Sequence, residues 1–249
     1  MPAYNEEECI EEVVTNWANQ LKQIFPKETD FRMLIINDGS RDRTGEILDE
    51  LSLKVSQLRV VHQTNSGHGE AVLNGYERAI ALSPNWVFQT DSDNQFRPSD
   101  FLKLWEAREK SLFLTGYRQQ RNDDFNRLVI TRILRGVIRI TYGCSVKDSN
   151  VPYRLIQTDY LESLFKQLPG RPFAPNIFLA ILAARDGQNL FEFPISHLAR
   201  ETGQVSIVKW TLIKVCMRSF RELVWFRLTL RQRLQSIREI QPTLINSSK

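Results

Sequence analysis

RMLIINDGSRDRT, residues 32–44, is an apolar run that breaks into a polar loop rich in Asn, Asp, Gly and Ser, then re-enters a helical pattern. A short continuous apolar run followed by a 3.6-residue period marks a strand feeding a helix. The event recurs twice. LRVVH (58–62) leads into Asn65-Ser66-Gly67-His68-Gly69-Glu70, and WVFQT (86–90) leads into Asp91-Ser92-Asp93-Asn94-Gln95. The strand ends at Asn37, His62 and Thr90 recur roughly every 26 residues, the size of one βα unit.

Further strands are expected at 112–115 and 190–193. Helical periodicity fills the gaps: 6–24, with Ile10, Val13, Val14, Trp17 and Leu21 on one face, then 43–55, 69–82, and a helix opening at Asp100 behind Pro98 and Ser99. The uncharged run 172–184 reads as a buried helix. Strands alternating with helices predict an α/β fold with a mostly parallel central sheet flanked by helices. One segment departs from the pattern. Pro2-Ala3-Tyr4-Asn5-Glu6 is a loop-then-helix start, so the usual first strand is expected to be absent.

The chain has 249 residues, 42% hydrophobic and 25% charged, which suits one large domain with a short appendage. Cys9, Cys144 and Cys216 fit neither a disulfide framework nor a zinc knuckle, and three reduced thiols are expected. A net charge of +4 is not that of a polycation, and no nucleic-acid partner is expected. No signal peptide is visible and no apolar run is long enough to span a bilayer, which points to a cytoplasmic location.

In open parallel sheets ligands sit beyond the carboxyl ends of the strands, so the loops after each strand are the candidate site. Asp91 and Asp93, two residues apart at a strand exit with Gln95 following, are oxygen ligands suited to a hard divalent cation, Mg²⁺ or Mn²⁺. Such a cation would neutralise a diphosphate leaving group. The alternative is a solvated turn capping the next helix. Asp38 reads either as a carboxylate accepting from a nucleobase or ribose, or as a turn and cap residue. Gly67 and Gly69 permit close backbone approach ahead of a helix N-terminus that favours anions. No metal-type histidine pair exists among His62, His68 and His197.

Taken together, Pro-Ala-Tyr-Asn-Glu (2–6), Asn-Asp-Gly-Ser-x-Asp-x-Thr (37–44), Asn-x-Gly-x-Gly-x-Ala-x-x-x-Gly (65–75) and Asp-x-Asp-x-Gln (91–95) resemble family-2 glycosyltransferases of the GT-A nucleotide-diphospho-sugar transferase fold, and most of all the dolichyl- or polyprenyl-phosphate sugar transferases. The likeness continues through Gly116-Tyr117-Arg118, the segment from Asp148 to Arg154, and Arg200-x-x-Gly203-x-x-Ser206. It implies a UDP- or GDP-linked sugar donor and a polyprenyl-phosphate acceptor. It implies that Pro2, Tyr4 and Glu6 bind the base, with Ile36 and Asp38 as a second nucleotide contact. Asp91, Ser92 and Asp93 would meet the donor, and Asp91, Asp93 and Gln95 the metal. Arg118 and Arg132 would grip the acceptor phosphate, and Arg200 would lie near the donor diphosphate. Two departures stand out: no hydrophobic strand precedes Pro2, and Ser206 is followed by Ile207 where the family commonly has lysine. The Gln-x-x-Arg-Trp signature of processive synthases is missing, which favours single transfer.

After Arg118 come Arg121, Arg127, Arg132, Arg135 and Arg139, the last three on one helical face, a row that suits phosphate. In 209–226, Ile213, Cys216, Met217, Phe220, Leu223 and Val224 oppose Lys214, Arg218, Arg221 and Glu222, with Trp210 and Trp225 nearby. This C-terminal amphipathic helix fits a membrane interface or a face of the domain. Arg227 and Arg231 fall in its apolar stripe, so it is expected to end or bend there. The division read from the sequence is a catalytic domain at 1–206, a basic helical tail at 207–240 peripheral to the cytoplasmic membrane face, and a frayed end at 241–249. Competing readings are transfer to a hydroxyl acceptor, with Asp148 as general base, and a catalytically weak nucleotide-binding partner subunit. A nucleotidyltransferase would need a Gly-rich basic loop that 2–6 does not supply.

Overall fold

The alternation read from the sequence appears as β1 (Pro2–Ala3), α1 (Ile10–Ile24), β2 (Met33–Asn37), α2 (Thr44–Lys54), β3 (Leu58–His62), α3 (His68–Ala81), β4 (Trp86–Thr90), α4 (Asp100–Glu106), β5 (Phe113–Arg118), α5 (Phe125–Tyr142), β6 (Tyr153–Gln157), α6 (Thr158–Phe165), α7 (Pro175–Arg185), β7 (Phe191–Ile195) and α8 (Lys209–Ser247). The computed structural model describes residues 1–27, 29–119, 125–187, 190–198 and 209–247; side chains at 125–130, 209–217, 219 and 239–247 are outside the description.

Hydrogen bonding groups the strands as β1-β2-β3, all parallel, and β4-β6-β5-β7, in which β6 runs antiparallel to both neighbours. Three of the five described ladders are parallel, as expected for the sheet. The Ser92 hydroxyl, just past β4, donates to the Pro2 carbonyl at 2.8 Å and joins the two groups. Helix α3 packs on β1, β2 and β4. One apolar layer gathers α1, α2 and α4. The other gathers α3, α6, α7 and the middle of α8. In the first layer Phe88 of β4 lies 5.3 Å from Trp17, 4.8 Å from Phe101 and 4.9 Å from Tyr153, ring centroid to centroid, locking α1, α4 and β6 to one strand. Full burial of a ring such as Phe101 contributes roughly 1.5–3 kcal/mol. Helix α7 is apolar on every side and is buried from Pro175 to Ala183, as its uncharged sequence requires.

Three expectations are corrected. A first strand does exist, as the two residues Pro2 and Ala3 in register with Ile36 and Asn37. Helix α1 starts at Ile10 rather than residue 6, because the loop 37–44 holds the preceding backbone. The amides of Asn5, Glu6 and Glu7 donate to Ser40 Oγ, Thr44 Oγ1 and Asp42 Oδ2 at 3.0, 2.8 and 3.1 Å. Helix α8 does not end at Arg227 but runs to Ser247, through the stretch expected to fray. Arg227 leaves the apolar seam by donating to the Thr141 carbonyl at 2.7 Å.

Strand β6 was not anticipated. Arg154 interrupts its apolar run, yet this side chain has no exposed surface. Its guanidinium donates to the carbonyls of Val151, Asn176 and Ser149 at 2.8, 2.6 and 2.5 Å. Burial pulls its pKa down to about 10. Arg154 thereby ties the 148–152 loop to the first turn of α7.

Candidate active site

The exits of β1, β2 and β4 and the N-terminus of α3 converge, and the loops between them carry the polar residues that sequence reading singled out. The Asp38 carboxylate is buried and already occupied. Oδ1 accepts from Gln63 Nε2 at 2.7 Å and from the Ser66 amide at 2.9 Å, and Oδ2 accepts from the Gly67 amide at 2.9 Å. Asp38 therefore builds the 63–67 loop in place of presenting an open acceptor. Gly67 sits at φ 94°, a conformation that favours glycine, and hands the chain into α3.

Thr44 and Asp42, unassigned from sequence, form the other wall. Thr44 Oγ1 donates to Asp42 Oδ1 at 2.6 Å while accepting from Glu6. Burial raises the Asp42 pKa, but hydrogen bonds from Thr44 and Glu7 outweigh it and hold the carboxyl below its ordinary value. Glu6 is buried, with its carboxylate 3.5 Å from the Cys9 thiol. Tyr4 is half-buried. The Ile36 side chain has no exposed surface, and its amide donates to the Met1 carbonyl. The Ser92 hydroxyl is buried and engaged by Pro2.

Asp91 stands at the end of β4. Its Oδ1 has no surface and, among the described residues, no hydrogen-bond partner. His68 Nε2, at the start of α3, is 3.9 Å away. Burial pushes the Asp91 carboxyl up to about 6, with His68 opposing and Asp93 reinforcing. Asp93 Oδ1 accepts from the Gln95 amide at 3.3 Å, and the loop turns through Asn94 at φ 57°. Gln95 Nε2 donates to the Leu198 carbonyl at 3.1 Å, and Phe96 and His197 form an isolated antiparallel bridge. Arg200 lies outside the described residues. The sequence signal for His68 is its position one residue past Gly67, at a helix start facing a strand end.

The buried Asp91 oxygen, which meets His68 Nε2 at 3.9 Å but no hydrogen-bond donor among the described residues, is the observation that tests the fit of a cation. An orphaned carboxylate oxygen is costly unless an ion or donor meets it. Among the described residues no three His, Cys, Asp or Glu side chains form a cage. This is compatible with Mg²⁺-type binding, which uses one or two carboxylates and completes its shell with phosphate oxygens and water.

A second polar centre lies where β5 ends. Arg118 Nε donates to Asp148 Oδ2 at 2.8 Å and Nη2 to Oδ1 at 3.2 Å, a two-pronged pair with Asp148 buried. The Arg135 guanidinium bonds the Lys147 carbonyl, and the Lys147 ammonium lies 4.1 Å from the Tyr117 ring centroid. Arg132 and Arg139 are exposed on α5. Arg121 and the side chain of Arg127 lie outside the described residues.

Several known proteins are similar to this chain. A polyprenol monophosphomannose synthase from Mycolicibacterium smegmatis is 26% identical over 212 residues, covering 82% of this chain and 77% of its own. A UDP-N-acetylglucosamine–dolichyl-phosphate N-acetylglucosaminyltransferase from Methanococcus voltae is 25% identical over 248 residues, covering 92% and 94%. An undecaprenyl-phosphate 4-deoxy-4-formamido-L-arabinose transferase from Edwardsiella ictaluri is 25% identical over 207 residues; the match covers 82% of this chain and only 60% of that longer protein. The crystal structure of glucosyl-3-phosphoglycerate synthase from Mycobacterium tuberculosis with Mn²⁺, uridine diphosphate and phosphoglyceric acid superposes with a TM-score of 0.65 at 19% identity, covering 91% of this chain and 76% of that one. At that identity the likeness shows a common fold. The family model described as glycosyl transferase family 2 matches residues 1–165, from β1 through α6 and therefore across both polar centres, and the chain belongs to that family.

Proposed function

We propose that this chain transfers one sugar, with inversion, from a UDP- or GDP-linked donor to a polyprenyl phosphate. The observation that carries the donor half is the buried Asp91 oxygen beside Asp93 at the end of β4, which has no hydrogen-bond donor among the described residues. Asp91 and Asp93 would hold Mg²⁺ or Mn²⁺ together with diphosphate oxygens. Gln95 would keep its amide oxygen for the ion while its nitrogen is engaged by Leu198. The bound ion supplies positive charge against the departing diphosphate. Pro2, Tyr4 and Glu6 form the base-side wall, braced by Thr44 and Asp42. Arg200 is kept as the diphosphate-side arginine on the strength of the family resemblance.

The acceptor half rests on Arg118. A phosphomonoester with a second pKa of about 6 is already an anion near neutral pH, so it needs orientation and no base. One phosphate oxygen attacks the anomeric carbon, forming the new C–O bond as the bond to the diphosphate breaks on the opposite face. Arg118 presents the nucleophile, and positioning contributes much of the rate. Asp148 is assigned as the residue that aims Arg118, because both its oxygens are engaged there; that geometry disfavours Asp148 as a general base for a hydroxyl acceptor. Arg132 is placed on the approach side of the acceptor. The relatives named for polyprenyl- and dolichyl-phosphate substrates support the same acceptor class. Among the described residues no helix is long and apolar enough to cross a membrane, and the proposed location is peripheral, at the cytoplasmic membrane face where such an acceptor is presented.

A screen of UDP- and GDP-sugars with Mn²⁺, offering polyprenyl phosphate and water-soluble hydroxyl acceptors in parallel, tests the reading. Labelled lipid-phosphate sugar is expected. Product only on the hydroxyl acceptors would overturn the acceptor assignment, and tight nucleotide binding with no product would favour the binding-subunit alternative.

A further inference from the structure

Helix α8 is apolar on two opposite sides. Leu223, Phe226, Leu230, Leu234 and Ile237 face inward and are buried against α6 and α7. The seam is fixed by polar contacts: Tyr142 Oη donates to the Leu223 carbonyl, Arg233 to the Gln167 carbonyl and Arg227 to Thr141. Among the described residues, the domain therefore accounts for one face only. On the other, Phe220, Val224, Trp225 and Leu228 are 53%, 46%, 53% and 79% exposed. They are four of the ten large apolar side chains exposed among the described residues, gathered within nine positions. Val224 and Leu228 follow Phe220 at i+4 and i+8, so they form one stripe.

Charge decides what covers that stripe. Between 218 and 238 the helix carries six arginines and one acid, Glu222. Glu222 is occupied by Arg218 at 2.9 Å and by the Phe173 amide. Arg221, Arg227 and Arg231 are exposed and interleave with the apolar side chains. A second copy of this stripe would set the same unbalanced arginines against each other, like charge on like. Alternating long cations with Trp, Phe and Leu suits a bilayer interface, where the apolar parts enter the acyl boundary and the guanidinium groups reach lipid phosphates. Arg227 also brings the C-terminal end of α5 alongside, where Ile140 is 87% exposed, and α5 leads back through Arg135 to the Lys147–Asp148 segment beside Arg118.

We propose that the outward stripe of α8, Phe220, Val224, Trp225 and Leu228 with Arg221 and Arg231, docks this protein on an anionic lipid surface. The choice of a bilayer as occupant rests in part on the lipid-phosphate reading of the acceptor. The two are separated by using vesicles that contain no polyprenyl phosphate for docking, and short-chain polyprenyl phosphate without vesicles for transfer. Sedimentation of the full chain with phosphatidylcholine vesicles, with and without phosphatidylglycerol, is expected to show binding only to the anionic set, weakened by salt. F220S together with L228S should lower partitioning at least tenfold. R221Q with R231Q should lower it about thirtyfold, at roughly one factor of five per surface arginine. Both variants should retain nucleotide affinity and short-chain transfer, since these side chains are exposed. Undiminished sedimentation of F220S/L228S would overturn the proposal. So would a wild-type dimer that these substitutions dissociate without lipid, because a second copy would then be the cover. Loss of short-chain transfer in the wild type, with docking intact, would sink the acceptor reading and leave the surface standing.

Discussion

Replacing Asp91 by Asn should stabilise the metal-free protein while abolishing transfer. Asp91 Oδ1 is shut away from solvent without a hydrogen-bond partner among the described residues, and burial first, then Asp93, drives the carboxyl from 3.8 up to about 6 against the pull of His68. The folded chain therefore binds this proton more tightly than the unfolded chain does. Its contribution to stability is present in full below about pH 4, falls as pH rises through about 6, and above that the ionised carboxylate weighs against the fold. A displacement of about two units corresponds to roughly 3 kcal/mol. The side chain keeps 21% of its surface, so solvent screening brings the expected gain to about 1–3 kcal/mol. For a chain of this length that is a rise of roughly 2–10 °C in Tm at pH 8. The assay is thermal and urea unfolding of both proteins in EDTA at pH 8 and again near pH 4.5, where the gap should shrink. Adding Mn²⁺ with UDP or GDP should raise the wild type and leave the variant where it was. An Asn variant no more stable than wild type at pH 8, or a gap indifferent to acid, would refute the reasoning.

Three other perturbations probe separate parts of the structure. Arg154→Met leaves the Val151, Asn176 and Ser149 carbonyls without their donor, and a loss of about 3 kcal/mol or more is expected in urea unfolding. Asp148→Asn removes the charged partner that aims Arg118; KM for the lipid acceptor should rise about tenfold or more while nucleotide Kd, measured by calorimetry, stays unchanged. Gly69→Ala would drive a methyl into the Phe173 carbonyl and should cost about 1–3 kcal/mol, read as a lowered Tm.

The legible parts of this protein are those where one local pattern suffices. Strands β3 and β4 fall at the residues read from sequence, because each is an unbroken apolar run closed by polar punctuation. Helix α7 is buried where its uncharged run predicted. The late part of the second sheet was less visible. Strand β6 carries a buried cation whose partners lie 3, 5 and 22 residues away, and no local pattern announces a charge satisfied by carbonyls. Strand-end logic placed Asp91, Asp93, Asp38 and Ser92 in loops that the fold brings together at the start of α3. It did not reveal which way each faces. Asp38 and Ser92 turned out to be spent on neighbouring backbone, Ile36 on the core, and Asp148 on Arg118. Those outcomes depend on contacts between loops far apart in the chain. The two-faced character of α8 was hidden for the same reason, since only the packing of Leu223 and Phe226 decides which apolar stripe is inside.

The proposed chemistry depends on Asp91 and Asp93 gripping a divalent ion against a nucleoside diphosphate. The direct measurement is calorimetric titration of UDP and GDP into wild type and Asp93→Ala, with Mn²⁺ and with EDTA, paired with sugar transfer under the same conditions. Wild type should bind one of the two nucleotides in a Mn²⁺-dependent way and lose transfer in EDTA, and the variant should lose both properties while keeping its Tm. Unchanged nucleotide affinity in EDTA together with full turnover by Asp93→Ala would contradict the account.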